Sequence, residues 1–233
     1  MCKVSPNAIV MLLKFVQNNS KYLNDFESGN LYFSSLQSFI DLELKQGNSK
    51  TGDRNEGNIH QVFNDLKSLK VNDFIIPTED INGVTADYSL PSDLKKNLGI
   101  CSFFAVQFKD LERIDDYTNK YRLKHSVMKD LYKTKDGDRT LFAVNNVQRL
   151  QQECRDNNLG YGLVKYYDPN HIKNLDDLRK YPEFCKIDKY SFQHEFRIIK
   201  SLDDEINLNY LKAIKDGSFK SNILSDLNDR KNN

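Results

Sequence analysis

Residues 99–108 read GICSFFAVQF, the most strand-like run in the chain. It sits among shorter apolar stretches parted by polar turns: KVNDFIIP and NGVTADYSL before it, DGDRTLFAV and GYGLVKYYD after it. Helical segments interrupt these strands at irregular intervals. KYLNDFESG stops at Gly29 and LQSFIDLELKQG at Gly47, each with glycine in the terminating position. YRLKHSVMKDLYK carries Leu123, Val127 and Leu131 at spacings of four, and NNVQRLQQECRDNN carries Val147, Leu150 and Cys154 on one stripe. LDDLRKYPEF also reads as helical. Residues 9–17, IVMLLKFVQ, fit a buried strand or the start of a helix, and periodicity does not separate the two. The tail from INLNYLKAI onward adds one strand and a short helix. Strands and helices mixed without regular βαβ alternation predict an α+β fold. The expectation is one domain over residues 1–233, with a mixed, largely antiparallel sheet flanked by short helices.

Charge and cysteine usage bound the partners. Thirty-four Lys and Arg against 33 Asp and Glu leave a formal charge of +1, which argues against a general nucleic-acid coat held by uncompensated cations. Nucleic acid is therefore the less favoured partner, reached if at all through Arg54, Arg197, Tyr166 and Tyr167. Fourteen Phe and 12 Tyr fill a core without any Trp. Cys2, Cys101, Cys154 and Cys185 are scattered with no C-x-x-C pair, as expected of reduced thiols in a cytoplasmic protein. No stretch approaches the roughly 18 apolar residues of a membrane span, and the N-terminus lacks a charged leader and cleavage site. No histidine forms H-E-x-x-H or a Cys/His zinc spacing, and no G-x-S-x-G, P-loop or G-x-G-x-x-G occurs. The expectation is no metal site and no cofactor motif.

Two stretches carry candidate chemistry. In YSFQHEFRII (190–199), a period of two places Gln193, Glu195 and Arg197 on one strand face and Phe192, His194, Phe196 and Ile198 on the other. A carboxylate held beside an amide can bind a ribose diol or orient a nucleophile, and a guanidinium can pair with it or capture phosphate. The plainer alternative is a half-buried strand with a solvated charged face. His194, on the apolar side, reads as a core histidine. In TGDRNEG, Asp53, Arg54 and Glu56 lie between Gly52 and Gly57, which let the backbone turn tightly and aim charged groups at a ligand. A polar surface loop accounts for the same residues. Cys101 in ICSFF, and Tyr166 and Tyr167 in VKYYD, read as packing residues.

FESGNLYFSSLQSF followed by GDRNEG, with FQHEFRII near the far end, resembles a set of uncharacterised bacterial and prophage proteins. Their late strand has the form Glu-x-Glu-Tyr-Arg or Gln-x-Glu-Phe-Arg, matched here at Gln193, Glu195, Phe196 and Arg197. The chain lacks the Asn-Asp-Pro and the Trp-containing segment of the commoner form. This resemblance implies a phage or mobile-element protein. The near-neutral charge, the missing cofactor motifs and the long polar loops at 48–57 and 109–120 add the expectation that it acts in bacterium–phage conflict, in an anti-defence role, by binding a host protein or complex without a cofactor. The Gln-x-Glu pair is also similar to the catalytic element of ADP-ribosyltransferases. That likeness implies NAD as substrate, with Glu195 holding the ribose and stabilising an oxocarbenium-like transition state, and Gln193 orienting the acceptor. The other landmarks of that fold are an N-terminal Arg or His, in whose place LLKFV has Lys14, and a Ser-Thr-Ser-like strand, loosely matched by Ser34 and Ser35 in YFSS. The ligand-binding set is then Ser34, Arg54, Glu56 and Arg197.

Overall fold

Ile9–Gln17 (β1), the segment that periodicity leaves open, is a central strand. Its burial explains the ambiguity. Leu12 and Val16 pack on one side of the sheet with Phe103, Phe142 and Phe196, while Leu13 packs on the other with Phe104, Val106 and Leu131. A strand covered on both faces reads as a continuous apolar run.

The computed structural model describes residues 4–47, 52–63, 68–77, 84–114, 120–144, 146–202, 210–212 and 221–223. After β1 come α1 (Ser20–Glu27), β2 (Asn30–Tyr32), β3 (Ser34–Ser35), α2 (Leu36–Gln46) and β4 (Asn58–Phe63). The hairpin β5 (Ser68–Val71) and β6 (Phe74–Pro77) leads to β7 (Val84–Ser89), α3 (Ser92–Asn97) and β8 (Leu98–Gln107). Next follow β9 (Leu111–Arg113), β10 (Tyr121–Leu123), α4 (His125–Thr134), β11 (Arg139–Val144) and α5 (Val147–Asp156). The last part holds β12 (Gly160–Leu163), β13 (Lys165–Tyr167), α6 (Leu175–Arg179), β14 (Cys185–Ile187) and β15 (Glu195–Ser201). Two short strands, β16 (Tyr210–Lys212) and β17 (Ser221–Ile223), close the described chain.

The main sheet has the order β12-β15-β8-β1-β11-β17, with β3 added to β8. Every one of these pairings is antiparallel. The fold is α+β with a largely antiparallel sheet and short helices, as expected. Several single expectations resolve into two elements. NLYFSSL gives β2 and β3, and GYGLVKYYD gives β12 in the main sheet and β13, which leaves it to pair in parallel with β14. Leu123 belongs to β10, so α4 begins after it, though Val127 and Leu131 are buried as its spacing requires. The short helix expected in the tail lies outside the described residues.

Local chemistry sets the helix ends. The Asn19 side chain accepts from the Lys21 amide at the start of α1, and Ser35 accepts from Ser38 at the start of α2. Gly47 closes α2 in the left-handed region, with φ 63°. From α1, Phe26 inserts between Phe103 and Phe142, with ring centroids 6.4 and 5.1 Å away. Burying a side chain of that size is worth roughly 1.5–3 kcal/mol.

One irregularity of the sheet opens a gap between two of its strands. Strand β1 pairs with β8 from Ile9↔Gln107 to Leu13↔Phe104. Beyond that point Lys14–Gln17 pairs with β11, and Leu98–Ser102 pairs with β15 and β3. Among the described residues the two strands do not pair again, so the sheet forks. The carbonyl of Ser102, at the crotch of the fork, is satisfied by the Lys14 ammonium at 2.7 Å instead of by a neighbouring strand.

Candidate active site

Between the prongs of the fork lies a cleft of about 650 Å³. Phe15, Tyr22, Phe26, Tyr32 and Phe39 are among the aromatic residues lining it, and Lys14, Ser34, Ser102, Gln193, Glu195 and Arg197 supply polar groups. Glu195 and Arg197 sit two residues apart on β15 and so leave the same face. Their cross-strand neighbours on β8 are Phe104 and Ser102.

The face carrying them is not solvated. Arg197 is 1% exposed and Glu195 is 6% exposed, so the expectation of a half-buried strand with a solvated face fails. Arg197 uses all five of its N–H donors. Nε donates to Glu195 Oε1 at 2.7 Å and Nη2 to Glu195 Oε2 at 3.2 Å. Nη2 and Nη1 also grip Glu56, at 2.6 and 3.0 Å, and Nη1 reaches the Glu183 carbonyl. The buried Lys186 lies beside it, its ammonium 2.9 Å from Glu56 Oε1 and 2.9 Å from Glu195 Oε2, and donating to Gln193 Oε1 at 2.8 Å.

Glu195 takes a further donor, the Ser102 hydroxyl, on Oε1. All four of its lone-pair positions are thereby filled. Two carboxylates and two cations form a neutral, closed hub, the condition under which buried charges are tolerated. Burial opposes ionisation of Glu195, yet the adjacent Arg197 and Lys186 hold its carboxyl far below the usual carboxylate range. The same carboxylates hold Lys186 and Arg197 protonated against the pull of burial.

Glu56 reaches the hub from the 52–57 turn, which Gly57 ends in the left-handed region at φ 68°. The positive φ favours glycine here, and a Cβ would press on Leu90 Cδ1 at 3.1 Å and Leu36 Cδ1 at 3.2 Å, which would have to shift by a few tenths of an ångström. The described part of the loop is consequently not a polar surface segment. Asp53 and Glu56 are each 1% exposed. Burial first, and Glu56 second, push the Asp53 carboxyl up from 3.8 to about 6.

The candidate residues thus meet unequally. Ser34, Glu56, Gln193, Glu195 and Arg197 line one cleft. Arg54 does not; it is exposed, and its backbone N–H binds Glu43. Gln193 arrives by a different route from the one its spacing implies, since residues Asp188–Gln193 form a 3-10 turn. His194 follows in the left-handed region (φ 42°, ψ 43°), and the strand starts only at Glu195. His194 is not a core residue on a strand face. Its ring is partly exposed, stacked on Phe104 at 4.8 Å, with Asp130 3.5 Å from Nε2. Cys101 is buried core, as expected. Tyr167 is buried, and the Tyr166 hydroxyl accepts from the Glu195 amide at 2.9 Å.

Sequence reasoning passed over Ser102 and Lys186. Ser102 sits in the apolar run GICSFF; Lys186 sits alone in FCKI, where a single cation between apolar neighbours is the only signal of a buried partner. Among the described residues no group of three or more His, Cys, Asp and Glu is arranged to hold a metal ion, and no helix is long and apolar enough to cross a membrane. No protein family, curated protein or solved structure matches this chain.

Proposed function

We propose that the chain is an ADP-ribosyltransferase-like enzyme that holds NAD in the forked cleft, with Glu195 as its catalytic acid. The observation that carries this reading is the meeting of three landmarks. Lys14 on β1 (standing where that family has Arg or His), Ser34 on β3 and Glu195 on β15 come from three strands that each pair with β8, and all three line one cleft.

The chemistry follows from the electrostatics. Breaking the bond between the ribose C1′ and nicotinamide leaves positive charge on the ribose, and nicotinamide departs with the electron pair. The acceptor nucleophile then forms the new bond to C1′ and yields its proton to solvent. Glu195, kept ionised by Arg197 and Lys186, presents the negative end of the hub's ion pairs to that transition state, the neutral hub as a whole supplying an oriented dipole and no net charge. Because Glu195 has no vacant acceptor position, a ribose hydroxyl enters by replacing the Ser102 hydroxyl, the one partner of Glu195 that carries no charge. Gln193, anchored by Lys186, lines the same cleft and is the residue assigned to orient the acceptor.

Incubation with labelled NAD and bacterial lysate tests this. Wild type is expected to transfer label, and Glu195→Gln to transfer it about 10²-fold more slowly. Ser102→Ala, which keeps every hub charge, provides a folded comparison. Equal labelling by wild type and Glu195→Gln, or no labelling by any form, overturns the reading.

A second reading, binding of a host protein in phage–bacterium conflict, has its own observation. On the hairpin of β5 and β6, Phe74 and Ile75 are 79% and 67% exposed, and apolar side chains so placed are suited to a protein partner. Capture of a defined host protein that is lost in Phe74→Ser/Ile75→Ser, with the circular dichroism spectrum unchanged, would support it. Retention of that partner by the double variant would sink it.

A further inference from the structure

A second cleft of about 590 Å³ opens on the other side of Glu195, which lines both. Its rim is cationic. Lys109 comes from the turn after β8, Lys133 from the last turn of α4, and Lys189 from the 3-10 turn before β15. We propose that this cleft is a binding site for a phosphate-bearing ligand, held by Lys109, Lys133 and Lys189 around the ring of Phe192.

Charge accounting supports an anion. Asp130 is the one further carboxylate in the lining, and Glu195 is already neutralised within the hub. Asp130 lies 3.3 Å from the Lys133 ammonium and 3.5 Å from His194 Nε2. Among the described residues neither Lys109 nor Lys189 has a carboxylate partner. Lys109 is 3.3 Å from the neutral Asn7 Oδ1, and Lys189 rests over the Tyr190 ring at 4.5 Å. Three cations against one carboxylate leave about two uncompensated charges on the lining of one concavity, where low-dielectric walls strengthen their field.

The aromatic content narrows the ligand class. Lys133 already sits over the Phe192 ring at 5.6 Å, which fixes an ammonium beside a flat apolar surface. A phosphoryl group beside an unsaturated ring, as in a nucleotide, matches that pairing. The His194 ring, held in place by stacking on Phe104, borders the same space. Phosphate can come from a free ligand or from a nucleic-acid backbone, and the two are separable.

Calorimetric titration of the full chain with inorganic pyrophosphate, and separately with a short single-stranded oligonucleotide, tests the site. Lys133→Gln/Lys189→Gln should weaken binding roughly tenfold or more, while Lys45→Gln, on α2 and paired with Asp41, should not. Pyrophosphate binding with that lysine dependence supports a free phosphorylated ligand. Tighter, equally lysine-dependent binding of the oligonucleotide supports the backbone source. Binding of neither probe, or the same change in Lys45→Gln as in the double variant, overturns the site. Because no NAD and no turnover enter this measurement, its failure is distinct from failure of the transferase reading.

Discussion

Replacing Arg197 by Met lowers folding stability by about 3–5 kcal/mol, the cost of removing one partner from a buried ion network. Met matches much of the volume but none of the five donors. Glu56 and Glu195 are left facing each other with Lys186 as the one cation they share among the described residues, and the Glu183 carbonyl loses its Arg197 donor. Urea unfolding of wild type and Arg197→Met reads the difference. Pairing the change with Glu195→Gln removes one charge of each sign and should recover part of the loss. A decrease under about 1 kcal/mol, the range of exposed pairs, would mean that water reaches the hub.

Asp53 gives the opposite pH behaviour from Glu195. Its carboxyl is raised from 3.8 to about 6 in the folded chain, so the native state binds that proton more tightly than the unfolded state does. Stability therefore falls as pH rises between about 4 and 6, and the loss levels off above that, at about 3 kcal/mol. Asn retains an oxygen to accept from the Asn55 amide, as Asp53 does at 2.9 Å. Asp53→Asn should accordingly be more stable than wild type at pH 7 and nearly flat across that window. An unchanged slope would show that Asp53 is ionised in the native state. Glu195 works the other way: its lowered value contributes stability above the unfolded range, lost only as pH falls towards that lowered value.

The α+β class was legible because strand runs and helix stops are local properties. β8 and α5 carry their signals within ten residues each, and the predicted stripe of Val147, Leu150 and Cys154 is buried. The hub was legible only in part. Glu195 and Arg197 were found together because a period of two joins them, but their burial depends on Glu56, 141 residues distant from Arg197, and on the solitary Lys186. No local pattern reports such partners. Gln193 was assigned to the strand because nothing in FQHEF announces that His194 adopts a positive φ, which residues with a Cβ seldom do.

The fork between β1 and β8 also bears on motion. Around Leu12 and Leu13 the strand has neighbours on both edges, so its backbone opens only when the sheet does. Past Lys14 one edge is closed by β11 alone, and the span between prongs is bridged at Ser102 by a single flexible side chain. Backbone pairing thus joins the two strands at Leu12 and Leu13, and side-chain packing, with Phe26 between Phe103 and Phe142, joins the prongs beyond. Local opening of the sheet is expected first past Lys14, while β15, paired on both edges, holds Glu195 in place.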